Sequence, residues 1–155
     1  MTNASTDFHY DDYGNALALS RDGTVLAVGA VGMSTMGTSS DKAGRVIVYK
    51  YDGSTWNPLG SWLHQEVGVS GNCGYLQNTE ANFGQSVALS ADGSRVVIGS
   101  SGTDHASPNH WDTSCKQDGS FHVFDWNGTS WNRVGAMFAI ALPASLAREI
   151  QHAFL

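Results

Sequence analysis

The side chains best suited to chemistry gather between Thr103 and Asp118, where TDHASPNHWDTSCKQD holds Asp104, His105, His110, Asp112, Cys115 and Asp118. Imidazole, thiolate and carboxylate are ligand types for zinc and other transition metals. The spacing closes no metal site, because there is no Cys-x-x-Cys pair and no pair of histidines on one helical face. A polar surface loop is the simpler reading, and neither a metal nor another cofactor is expected. Trp111, set between His110 and Asp112, is an aromatic of the kind that stacks on a sugar ring or a partner surface. If the chain binds a ligand, His105, His110, Trp111 and Asp112 are the residues expected to meet it, because loops on a rigid sheet scaffold are where binding resides.

Other chemistry is sparse. No GxSxG elbow, HExxH pair, Walker loop or strand-borne GxGxxG occurs, so nothing assembles a hydrolase or a nucleotide site. Cys73 and Cys115 lie far apart in glycine-rich sequence. They suit a disulfide in an oxidising compartment or two unrelated thiols in a reducing one. Sequons stand at Asn3 and Asn127; the second falls on an Asn-Gly pair, which is also a favoured hairpin turn.

The elements that carry these residues come from a repeat. Tyr13 to Ala30, YGNALALSRDGTVLAVGA, returns as Phe83 to Ser100, FGQSVALSADGSRVVIGS, at an offset of 83 − 13 = 70. Gly44 to Gly60 returns as Gly119 to Gly135 at 119 − 44 = 75, the extra residues falling in the loop between. In each unit the reading is a strand ending near Ser20 or Ser90, an Asp-Gly turn, and a second strand such as Val25 to Val31, apolar on both faces as a buried strand is. A Gly/Ser/Thr-rich loop follows, then Arg45 to Tyr51 or Phe121 to Trp126, a turn at Asp52-Gly53 or Asn127-Gly128, and a fourth strand over Trp56 to Leu63 or Trp131 to Met137. The fold class is therefore all-β, two four-stranded antiparallel meanders. They span 13–63 and 83–138, between a polar segment 1–12, a connector 64–82 and a tail 139–155. A meander cannot bury both of its own faces, so each needs a neighbour of its kind. Trp56 and Trp131 recur, as do Tyr51 and Trp126, and are read as packing residues between units.

In the tail, Leu146, Ile150 and Phe154 fall on one helical face, which predicts a short amphipathic helix or an altered end of a longer reading frame.

The 155 residues are 41% hydrophobic and only 14% charged, with 18 glycines, as expected of many short strands joined by tight turns. A formal charge of −6 with eight scattered Lys and Arg argues against nucleic acid or an anionic membrane surface as partner. No apolar run is long enough to span a bilayer, and no secretory signal is read at the start.

The motifs Phe83-Gly84, Ser86 to Ser90, Asp92-Gly93 and Val97 to Gly99, with Tyr13-Gly14, Ala18 to Ser20, Asp22-Gly23 and Ala27 to Ala30, resemble the FG-GAP repeat of the integrin α-subunit propeller. The resemblance covers most of residues 8–138. It implies one four-stranded propeller blade per unit, a ring of about seven blades in the family, binding of a protein or glycan partner, and an extracellular or cell-surface location. Calcium-binding members carry an acidic loop between the first two strands; here Ser20 to Gly23 and Ser90 to Gly93 have one carboxylate apiece, so both are read as hairpin turns. A non-catalytic binding or adhesion module is the expected function. The alternatives are a piece or subunit of a larger propeller enzyme, or a self-associating scaffold whose open blade edges pair with copies.

Overall fold

The computed structural model describes residues 12–33, 43–65, 81–102, 119–135 and 138–139. Within them the chain is all-β. Strands β1 (Tyr13–Leu19), β2 (Val25–Ala30), β3 (Arg45–Tyr51) and β4 (Trp56–Pro58) form one antiparallel sheet in that order. A second sheet runs β5 (Phe83–Leu89), β6 (Arg95–Ser100), β7 (Ser120–Trp126), β8 (Trp131–Arg133), with β9 (Phe138–Ala139) paired to β7.

Register repeats with the sequence. Leu19 opposes Leu26 and Leu89 opposes Val96; Tyr51 opposes Trp56 and Trp126 opposes Trp131. Each sheet opens on the same irregularity, a slip between Tyr13 and Leu17 in β1 and between Phe83 and Ser86 in β5. Asp12 and Asn82 just ahead of it have φ of +46° and +54°, a left-handed conformation that Asp and Asn tolerate best after glycine.

The Asp-Gly turns are set by side chains. Ser20 Oγ donates to Asp22 Oδ1 at 2.7 Å, the Thr24 amide donates to the same oxygen at 3.0 Å, and the Val25 amide donates back to Ser20 Oγ. Ser90, Asp92, Ser94 and Arg95 repeat the pattern. Donors that favour the anion hold the Asp22 and Asp92 carboxyls down at about 2.

The two sheets stack, and unlike faces meet. Val25, Ala27, Val46 and Val48 of the first sheet interdigitate with Phe83, Val96, Ile98 and Phe124 of the second. These side chains are nearly or wholly out of water, and each large one contributes roughly 1.5–3 kcal/mol by burial. Backbone joins the layers too: the Arg21 amide donates to Ala91 O at 3.0 Å and the Phe83 amide to Ala43 O at 2.9 Å. Where β5 crosses β2, a methyl on Gly29 would lie 2.2 Å from the Gly84 carbonyl oxygen, so the backbones can approach only because neither residue has a side chain.

Two details depart from the sequence reading. The fourth strand stops at Pro58, not at Leu63, because Gly60 at φ +86° turns the chain. Leu63 then returns as a single bridge to Val46. In the second sheet β8 likewise stops at Arg133, and Phe138 pairs with Phe121 as Leu63 does with Val46. The recurring Trp and Tyr positions are not equivalent in burial: Trp126 and Trp131 close over Gly60, with Trp131 Nε1 donating to Leu59 O at 2.8 Å, whereas Tyr51 and Trp56 are exposed. The amphipathic helix expected in the tail lies outside the described residues.

Candidate functional site

His105, His110, Trp111 and Asp112, with Asp104, Cys115 and Asp118, lie outside the described residues, as do Cys73 and Asn3. Asn127 is described and exposed. Its Oδ1 accepts from the Thr129 and Ser130 amides, both at 2.9 Å, as Asp52 Oδ1 accepts from the Ser54 and Thr55 amides in the first sheet. The sequon asparagine is thus also the brace of its turn.

The Asp22 and Asp92 carboxylates are turned onto their own loops, where serine, threonine and amide donors surround them. Among the described residues no three of His, Cys, Asp and Glu converge as metal ligands would.

Two hollows remain. One, of about 330 Å³, is lined by Ser90, Asp92, Ser94, Arg95, Asp125 and Trp126. Its one described cation is already engaged, since the Arg95 guanidinium donates through Nε and Nη2 to the two Asp125 oxygens at 2.6 and 2.7 Å, and the Asp92 carboxylate is held by its own turn.

The other hollow, of about 150 Å³, opens at the junction of the two sheets and is lined by Trp62, Leu63, His64, His122, Phe124 and Arg133. Among the described residues that line it there is no acid. Arg133 brings a permanent positive charge, and its Nε and Nη2 are buried with no hydrogen-bond partner. His122, on β7, is 2% exposed, packs its ring 5.2 Å from that of Phe83, and shares a 3.2 Å hydrogen bond with Ser120 Oγ. Burial first, and the Arg133 charge second, push the imidazole down to about 4, so it is neutral at pH 7.

Among the described residues no carboxylate orients His122, and its low basicity disfavours proton abstraction from Ser120 at neutral pH. What the hollow offers is positive charge, an indole wall and restricted water. These features suit the binding of an anionic group.

Motif scanning does not find these residues, but aligning the repeat against itself does. At an offset of 75, His122 takes the place of Ile47 and Arg133 that of Pro58. Polar residues thus stand where the twin unit has apolar ones, and the two changes fall on neighbouring strands. Trp62 and His64 reach the same hollow through the turn at Gly60, which sequence spacing does not reveal.

Among the described residues no helix is long and apolar enough to cross a membrane. The chain matches no protein-family model and no curated protein sequence.

Proposed function

We propose that this chain is a non-catalytic binding module built from FG-GAP-type propeller blades, working in an extracellular or cell-surface setting and recognising an acidic group on a protein or glycan partner. The observation that carries the binding half is the hollow whose described lining holds no acid, in which Arg133 Nε and Nη2 lack hydrogen-bond partners beside neutral His122 and the Trp62 ring. Buried guanidinium N–H groups without an acceptor are costly, and a carboxylate brought by a partner offsets that cost with charge-assisted hydrogen bonds. The blade half is supported by two sheets of identical strand order, register and opening irregularity, stacked in the same sense.

The hollow suits the carboxylate of a larger partner, with residues elsewhere in the chain making the remaining contacts. His105, His110, Trp111 and Asp112 are proposed for that role.

The test is a paired binding screen of the full chain against acidic glycans and acidic peptides, with Arg133→Gln and the double variant His110→Ala/Trp111→Ala alongside. Binding to one acidic class, lost in Arg133→Gln and weakened in the loop variant, is the expected outcome. Ligands that bind equally well to Arg133→Gln, or only neutral ligands, would refute the acidic reading. Turnover of any ligand would refute the non-catalytic one.

A further inference from the structure

His122 lines the same hollow as Arg133, and its imidazole is only half engaged. Nε2 shares its 3.2 Å bond with Ser120 Oγ, and no described residue bonds Nδ1. Around the ring stand Ile98 on β6, Phe83 on β5, Arg133 on β8, and Trp62 and His64 from the segment beyond Gly60. Of these, Arg133 and His64 are the charged or titratable groups. Asp125, the nearest carboxylate along β7, alternates to the other side of that strand and is held there by Arg95.

Two costs keep this imidazole neutral. Protonation would charge a buried ring, and it would set a second cation beside a guanidinium whose Nε and Nη2 already lack acceptors. Both costs shrink when an anion enters. The Nε and Nη2 edge of an arginine takes a carboxylate side by side, as Arg95 takes Asp125. A carboxylate held that way keeps further lone pairs, and an imidazolium, with both ring nitrogens as donors, can bond one of them without giving up Ser120.

We infer that His122 is a second ligand of the anion in the Arg133 hollow and takes up a proton as that anion arrives, so that acid tightens binding. This rests on the anion-binding reading of the hollow and adds to it a residue and a selectivity. By reciprocity, the anion raises the basicity of His122 as much as protonation raises the anion's affinity. Affinity is flat while the bound imidazole stays neutral, then climbs as pH falls by up to about tenfold per pH unit, and levels off once the empty site protonates near 4. An uncharged ligand draws no proton, so acid favours acidic partners over neutral ones of the same shape.

The test titrates the full chain, its histidines isotopically labelled for magnetic resonance, with formate and with methanesulfonate at constant ionic strength. Methanesulfonate stays ionised throughout. Both should bind roughly tenfold more tightly at about pH 5 than at about pH 7. The His122 resonance, assigned by its absence from His122→Gln, should move to its protonated position in the complex at the lower pH. His122→Gln should bind with an affinity that no longer follows pH, and His64→Gln should keep the dependence. His122→Ile, the residue of the twin sheet, replaces His122→Gln if that variant loses its near-ultraviolet tryptophan signal. Equal binding at both pH values, a His122 ring that stays neutral in the complex, or a dependence lost in His64→Gln and kept in His122→Gln would overturn this proposal while leaving the anion site standing. Failure of either anion to bind folded wild type at either pH would refute the anion site and this inference with it.

Discussion

Phe83 and Tyr13 occupy one position of the repeat, yet one is 0% and the other 51% exposed. Truncating each to alanine therefore separates what the repeat dictates from what stacking dictates. Phe83 sits among Val46, Ile98 and the His122 ring, wholly out of water. Phe83→Ala should cost about 3–5 kcal/mol through lost burial plus the residual cavity. Tyr13 gives up a half-exposed ring, an edge contact with Trp62 and a 2.7 Å hydroxyl bond with Tyr49 at the surface. Tyr13→Ala should cost about 1 kcal/mol. Urea unfolding followed by tryptophan fluorescence, at concentrations where light scattering reports a monomer, reads both through the midpoint, provided the slope is unchanged. Equal losses for the two variants, or a larger loss for Tyr13→Ala, would mean that the layers do not stack as described.

The glycines at the strand crossing offer a second twin comparison. Gly29→Ala places a methyl 2.2 Å from a backbone oxygen of the neighbouring sheet and should cost about 1–3 kcal/mol, whereas Gly99→Ala meets only the Ser86 hydroxyl, which can rotate away, and should cost less in the same assay. Acid should weaken the fold through His122. Its pKa falls from the ordinary 6.5 to about 4 on folding, so the unfolded chain binds the extra proton and stability drops as pH falls from 6.5 towards 4, by at most about 3 kcal/mol and less where solvent screens it. His122→Ile, which installs the residue of the twin sheet, should flatten the stability profile over that range while leaving the further loss below pH 4, where Asp22 and Asp92 protonate. Asn127→Asp should leave the thermal midpoint at neutral pH unchanged, because Asp52 already makes the same turn with the same two amide donors; a clear fall would show that the two turns are not equivalent.

Strand order, register and turns were legible in the sequence because they are local and stated twice. An Asp-Gly turn braced by Ser20 and Thr24, or by Ser90 and Ser94, fixes which residues oppose one another across a hairpin. The fourth strand was misjudged because Trp56 to Leu63 is apolar enough to read as extended, while the bend at Gly60 depends on the Trp126 and Trp131 rings of the other sheet. The hollow was half legible. Its His122 and Arg133 show up as departures from the twin unit, but their meeting with Trp62 depends on how the layers are offset.

Alternation along Leu17 to Leu19 and Val25 to Val28 makes both faces of the first sheet apolar, so the amino-acid sequence alone determines that each sheet must be covered and with what kind of surface. How far each face is covered is a tertiary matter. Two stacked layers share one contact, so Phe83 lies in the core and Tyr13 meets water, although the chain spells their surroundings alike.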